Sequence, residues 1–139
     1  MKIHNGSSGC VLTPKEKSPD GAVRASASVS VAGFTGVNRK IWLSPSALSA
    51  FLDQLRAVCE RRTGEATLEA LSPEEFRLRI RITDLSGHAS CFVDLAQLRP
   101  AYGRWEKNSL SIEFELDPSL LPKHLADAEK FARYELKPA

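Results

Sequence analysis

The stretch that decides the fold is FRLRIRITDLSGHASCFVDL, residues 76–95. Its two halves alternate apolar and polar side chains, and a period of two is typical of β-strands that are buried on one face. The residues between the halves, Asp84 to Gly87, have the composition of a turn. The alternation therefore predicts a β-hairpin over residues 75–96.

The same period occurs on both sides of this hairpin. Residues 22–34 and 37–43 predict a second hairpin, in which Gly36 can supply the turn. Residues 66–71 and 110–116 predict further strands, and the short connections favour antiparallel pairing. Three segments are rich in turn residues instead, namely residues 5–9, 13–21 and 100–108. We interpret the last of these as a loop.

The period changes to that of a helix after Ser44. Ser44 is a good N-cap, and Pro45 suits the first helical position because its missing N–H would have no partner there. An apolar stripe follows at helical spacing until Gly64 offers a stop: Leu48, Phe51, Leu52, Leu55, Val58 and Cys59. This pattern predicts an amphipathic helix over about residues 45–62. Asp117 and Pro118 repeat the start signal and predict a short C-terminal helix.

Together these elements predict an α+β fold. We expect a six- to seven-stranded, mostly antiparallel sheet, with the long helix packed on one face and the short C-terminal helix after the last strand. The chain has 139 residues, which is enough for one domain with a buried core. We therefore predict a single domain over residues 1–139, frayed at residues 1–9 and 134–139.

Composition and charge exclude several classes of protein. Hydrophobic residues make up 42% of the chain and charged residues 26%, which excludes collagen-like, coiled-coil and wholly disordered chains. The net charge of +2 is too balanced for a dedicated nucleic-acid binder. No apolar run approaches the ~20 residues of a membrane span, and the N-terminus has no secretory pattern, so we predict a cytoplasmic protein that does not bind membranes.

The sequence contains no catalytic or metal-binding signature. It has neither a Gly-x-Ser-x-Gly nucleophile motif nor a glycine-rich phosphate loop. His88 and Cys91, three residues apart on a strand, point to opposite faces. Cys10, Cys59 and Cys91 are odd in number and widely spaced, which predicts free thiols. We therefore expect no catalytic residue, no metal and no cofactor.

Two charged rows and one aromatic segment form the candidate binding surface. Alternation places an arginine row on one strand and a carboxylate row on another, and such rows are either a solvated face with cross-strand pairs or a recognition surface. The segment over residues 100–108 contains tyrosine, tryptophan and arginine, the side chains that most often anchor interfaces. The candidate partner-binding residues are Arg77, Arg79, Arg81, Tyr102, Arg104, Trp105, Glu113 and Glu115.

The order of these signals resembles that of small bacterial immunity proteins, which neutralise polymorphic or contact-dependent toxins, and in particular the Wap-type (cell-wall-associated toxin) group. The resemblance spans residues 43–122. It is carried by Leu43-Ser44-Pro45 leading into Phe51-Leu52-Asp53-Gln54-Leu55, by the turn from Asp84 to His88, and by Leu110 to Asp117 followed by Leu120-Leu121-Pro122. It implies a non-enzymatic cytoplasmic inhibitor that binds the C-terminal domain of a cognate toxin. The chemistry of that toxin stays open.

Two other functions remain as alternatives. One is a small ligand-binding or enzymatic domain with a pocket between helix and sheet. The other is a weak nucleic-acid binder, although three arginine contacts would release only ~2.7 counterions and give weak binding at physiological salt. A protein partner therefore ranks above nucleic acid. The sequence leaves open whether the chain forms a homodimer.

Overall fold

Eight strands and two α-helices make up residues 1–135, the part of the chain that the computed structural model describes. In chain order they are β1 Lys2–His4, β2 Gly9–Lys17, β3 Val23–Val31, β4 Phe34–Leu43, α1 Pro45–Arg61, β5 Glu65–Glu69, β6 Phe76–Ile82, β7 Ala89–Ala101, β8 Arg104–Leu116 and α2 Leu121–Ala132. A single 3-10 turn, Pro118–Leu120, precedes α2. The predicted α+β class is confirmed, as is the short C-terminal helix.

The strands form two sheets, so the prediction of one six- to seven-stranded sheet is wrong. The N-terminal sheet has the order β1-β2-β3-β4 and the C-terminal sheet the order β5-β6-β7-β8. Every neighbouring pair is antiparallel, as expected. The break falls at α1, which carries the chain from β4 to β5 without pairing them. Alternation identifies strands and their buried faces, but it does not specify which strand edges meet.

Two strands near the N-terminus are absent from the sequence prediction. Residues 1–9 do not fray as expected, because β1 pairs with β2 and buries Ile3 almost completely. Strand β2 spans residues 9–17, although residues 13–17 belong to a segment that is rich in turn residues, and its pairing has a register shift between Pro14 and Glu16. At the other end, Tyr134 packs against the core, whereas residues 136–139 of the predicted frayed tail lie outside the described residues.

Both predicted hairpins are confirmed, with one turn in a different place. The β6–β7 hairpin matches the prediction for residues 75–96. The β3–β4 hairpin turns at Ala32 and Gly33, which have positive φ angles of 43° and 92°, and not at Gly36. Gly36 lies within β4, where an added Cβ would sit 3.0 Å from the side chain of Leu110. A glycine there lets the two sheets approach closely.

Helix α1 closes the core beside the C-terminal sheet. Its start agrees with the sequence, since Ser44 Oγ accepts a hydrogen bond from Ala47 N at 3.1 Å. The helix ends before Arg62, which takes the left-handed conformation expected for Gly64. Helix α1 packs against β5, β6 and α2, and α2 packs against β1. The buried residues of α1 belong to the same core cluster as the buried residues of both sheets: Leu48, Phe51, Leu55 and Val58.

One buried polar side chain links the two sheets. Asn38 of β4 is 5% exposed, and its Nδ2 donates to the carbonyl oxygen of Ala96 in β7 at 2.7 Å. Its Oδ1 accepts from the backbone N–H of Lys40 at 3.0 Å. A buried amide with both ends satisfied favours one relative position of the two sheets.

Among residues 1–135, neither α-helix combines the length and apolar character needed to span a bilayer.

Candidate partner-binding surface

The predicted arginine and glutamate rows lie on the same face of the C-terminal sheet, the face that points away from the core. We call it the arginine face, after Arg77, Arg79 and Arg81 of β6. Arg79 is opposite Phe92 of β7, which is opposite Glu113 of β8. Because β7 separates the two rows, their backbones are ~9.6 Å apart. The rows share a face but are not cross-strand neighbours.

Two of the arginines pair with carboxylates that the sequence prediction missed. Arg81 lies 2.8 Å from Glu65 Oε2, and Arg77 Nε lies 3.1 Å from Glu69 Oε1. Both glutamates belong to β5, at the edge of the sheet beside β6. Partial burial raises the pKa of Glu65, but the hydrogen bond and the charge of Arg81 outweigh it and lower the pKa overall. The alternation Glu65-Ala66-Thr67-Leu68-Glu69 is the signal that could have identified this row.

Arg79 differs from its two neighbours in the row by its lack of a carboxylate partner. Its guanidinium carbon lies 5.2 Å from the centre of the Phe92 ring, and that of Arg81 lies 5.5 Å from the same centre, both distances typical of a cation–π contact. Within residues 1–135 no carboxylate lies within 4.0 Å of the Arg79 guanidinium. The ring therefore orients the Arg79 guanidinium, whose charge is not matched by a described acid.

Glu113 and Glu115 are exposed on the opposite side of Phe92. In the described part of the chain, neither has a basic group within 4.0 Å. The arginines of β6 thus form ion pairs with glutamates of β5, and not with the glutamates of β8. The two glutamates present their charges to solvent and could contact a partner.

The predicted loop over residues 100–108 is a pair of strands. β7 and β8 stay in register to the pair Ala101 and Arg104, and the turn between them is Tyr102-Gly103, with φ angles of 49° and 77°. Pro100 suggests a loop by sequence, but here it lies in β7 beyond the end of β6. No neighbouring strand requires its missing N–H there, so a proline is tolerated.

Residues 97–108 extend beyond the rest of the sheet, and we call this two-stranded extension the ribbon. Pairing of β7 with β6 ends at Leu95, so the ribbon has no third strand. Tyr102 at its tip is fully exposed and Trp105 is 71% exposed. Three basic side chains accompany these aromatic residues: Arg99, Arg104 and Lys107. Arg99 and Lys107, absent from the sequence prediction, are identified once the alternation is continued through Pro100.

The eight predicted residues therefore form two areas, one on the arginine face and one on the ribbon. Trp105 and Glu113 are both in β8 and point to the same side, but they are eight positions apart along the strand, a distance of ~27 Å. One compact partner side chain or loop cannot contact both areas. A partner that covers both needs an extended surface.

The described residues form a groove between a helix and a sheet, the kind of site that the ligand-binding alternative requires. It has a volume of about 440 Å³ and lies between α2 and strands β1 and β2. Leu12, Phe131 and Tyr134 contribute much of its apolar lining. Residues 1–135 contain no group of three or more His, Cys, Asp or Glu side chains placed to hold a metal ion.

The cysteine thiols are in surroundings that disfavour the reactive thiolate. Burial raises the pKa of Cys10 to about 12 and also raises the pKa of Cys91. Cys59, on the apolar stripe of α1, is half-buried, and partial burial raises its pKa as well. A thiol with a raised pKa is a weak nucleophile at neutral pH.

A buried histidine predicts that acid destabilises the fold. His124 of α2 is 1% exposed, and its ring lies 6.0 Å from the ring of His4 in β1. Burial lowers the pKa of His124, the charge of His4 lowers it further, and Asp127 partly opposes both. Because the folded chain binds this proton less readily than the unfolded chain, the free energy of unfolding should fall as the pH drops below ~6.5. We expect urea titrations at pH 7.5 and 5.5 to show this loss, and His124→Phe to reduce it.

His88→Asn is the control for this prediction. The hydrogen bond to the Asp84 carboxylate raises the pKa of the exposed His88, so His88 stabilises the fold at low pH and its loss should steepen the decline. An equal pH dependence for wild type and His124→Phe would contradict the assignment to His124.

Comparison with known proteins gives one match. The model of the immunity protein WapI-like family matches residues 11–133. This range includes most of β2, all of the six strands that follow it and both helices. No curated protein and no solved structure matches the sequence significantly. Since the family match covers nearly the whole chain, this protein belongs to the WapI-like immunity protein family.

Proposed function

We propose that this chain binds a cognate toxin domain in the cytoplasm and neutralises it by occlusion, without catalysing a reaction. The family match over residues 11–133 is the observation that carries this proposal. The exposed charges of the arginine face and the exposed aromatic side chains of the ribbon support a binding role. Polar, charged surfaces of this kind are typical of interfaces between proteins that fold separately.

The proposed contact residues come from the arginine face and from the ribbon. Arg79 and the carboxylates of Glu113 and Glu115 would contribute charge complementarity from the arginine face. Trp105 and Tyr102 would contribute the apolar contact from the ribbon, since large exposed aromatic side chains dominate binding energy once they are buried. Arg77, Arg81 and Arg104 complete the proposed set. A toxin domain that spans both areas would have its own functional surface covered.

Co-expression with the toxin domain encoded beside this chain tests the proposal. We expect the chain to restore growth of cells that produce the toxin domain, and the purified pair to elute as a stoichiometric complex. Growth arrest together with separate elution of the two proteins would refute the proposal. The same complex then provides the assay for the variants below.

Removing the arginine row should slow formation of this complex. We expect the triple variant Arg77→Ala, Arg79→Ala and Arg81→Ala to associate about tenfold more slowly and with a weaker dependence on salt, because exposed charges act mainly through long-range attraction. Stopped-flow measurements at several salt concentrations give both quantities.

A matched control removes the same charge from the N-terminal sheet. Lys15, Arg39 and Lys40 are exposed there, and their replacement by alanine lowers the net charge equally. Equal association rates for the two triple variants would exclude the arginine face from the interface.

A further inference from the structure

The net charge of the protein is concentrated in the ribbon. Residues 97–108 contain three basic side chains, Arg99, Arg104 and Lys107, and one acidic side chain, Glu106. Taking these away from the 19 basic and 17 acidic residues of the chain leaves 16 of each. The rest of the molecule is therefore balanced in charge, and the ribbon alone has a formal charge of +2.

The shape of the ribbon suits insertion into a concave surface. Its five residue pairs, from Gln97 and Asn108 to Ala101 and Arg104, extend roughly 15 Å from the sheet. It is two strands wide, so it is much narrower than a sheet face. Tyr102 and Trp105, near its tip, are largely exposed to solvent in the free chain. Such aromatic side chains gain most when a partner removes them from water.

The ribbon has regular strand pairing and a defined turn in the free chain. Its strands pair without a register shift, and the turn at Tyr102-Gly103 has the two positive φ angles of a tight hairpin. Arg99 lies 3.4 Å from Glu106 on the neighbouring strand, and the ring of Pro100 fixes its own φ angle. A segment that is ordered before binding loses less conformational entropy when it binds.

We propose that the ribbon inserts into a carboxylate-lined cleft of the toxin domain, with Trp105 as its apolar anchor. This inference rests on the proposed function and adds the chemistry of the partner site. The basic side chains attract and orient the acidic cleft, and Trp105 is buried once the ribbon is seated. A second copy of this chain fits less well, because its ribbon has the same charge. Three basic side chains are also too few for strong nucleic-acid binding at physiological salt.

Shortening the ribbon tests the inference directly. Replacing residues 98–107 by Asn-Gly joins Gln97 to Asn108, which already face each other, through a favoured two-residue turn. The replaced side chains are mostly exposed and none belongs to the core cluster. We expect a thermal midpoint within a few degrees of wild type and at least a hundredfold weaker binding to the toxin domain.

A variant without the basic side chains of the ribbon distinguishes the effect of charge on association from the effect of Trp105 on dissociation. Changing Arg99, Arg104 and Lys107 to glutamine keeps Trp105 and the strand pairing, so we expect about tenfold slower association and little change in dissociation. Changing Lys15, Arg39 and Lys40 to glutamine is the matched control, and it should leave the rate of association within twofold of wild type.

The outcomes distinguish this inference from the proposed function. A wild-type chain that binds the toxin domain, together with a shortened variant that binds within threefold, overturns the inference and leaves the proposed function intact. A wild-type chain that does not bind overturns both. Ribbon-dependent dimers in ultracentrifugation, or ribbon-dependent binding of oligonucleotides at physiological salt, would overturn the inference in favour of another partner.

Discussion

The Trp105→Ala variant is expected to dissociate from the toxin domain about thirtyfold faster than wild type, a loss of about 2 kcal/mol that is typical of a central aromatic anchor. Because the ring is 71% exposed in the free chain, the fold does not depend on it. The free energy of unfolding should therefore change by less than about 0.5 kcal/mol. Surface plasmon resonance gives the dissociation rate, and urea titration gives the stability.

Trp105→Phe serves as the conservative control for the anchor. It keeps a large apolar ring, so we expect its dissociation rate to stay within about fivefold of wild type. If Trp105→Ala dissociates as slowly as wild type, the ring is not an anchor, and the ribbon acts through charge alone. If instead both variants unfold more readily, Trp105 supports the fold and not the complex.

The Phe51→Ala variant is expected to lose about 3–5 kcal/mol of unfolding free energy. Phe51 of α1 is 1% exposed and belongs to the core cluster that joins both sheets and both helices. A domain of this size has a total stability of about 5–15 kcal/mol, so this loss should lower the urea midpoint of unfolding by an easily measured amount. Urea unfolding followed by circular dichroism measures the change.

Asp53→Ala on the same helix is the matched control for Phe51→Ala. It removes an exposed carboxylate that lies 3.0 Å from Arg56, and exposed pairs of this kind stabilise a fold by less than about 1 kcal/mol. A loss below about 1 kcal/mol for Phe51→Ala would show that the core closes around the cavity or does not depend on this ring.

The sequence pattern predicted the individual strands and helices better than it predicted how the strands are arranged in sheets. The hairpin over residues 75–96 and the start of α1 at Ser44 depend on side-chain period and capping, both of which can be read along the chain. The division into two sheets depends on which strand edges meet, and the sequence does not encode this in any short stretch. Strand β2 was missed because Pro14 and the nearby register shift interrupt its alternation.

The candidate surface could be predicted only in part, because side-chain period can be read along the chain but the order of strands in a sheet cannot. Alternation grouped the arginines of β6 on one face of their strand and the carboxylates of β8 on one face of theirs, but it left open which face points away from the core. It did not reveal that β5 would supply the carboxylates for Arg77 and Arg81, because sheet order decides which rows become neighbours. The ribbon was hidden by Pro100 and by a tyrosine in the turn, where asparagine or aspartate before glycine is the usual signal.

The position of the ribbon outside the core has a consequence for how this protein can diversify. Substitutions among residues 98–107 remove little buried surface, so most of them cost little stability, and the framework tolerates them. If the ribbon binds the toxin domain as proposed, substitutions at these ten positions can alter recognition while the two sheets and α1 stay the same. Replacing this segment by that of another family member should then transfer the choice of toxin and leave the recipient scaffold as stable as before.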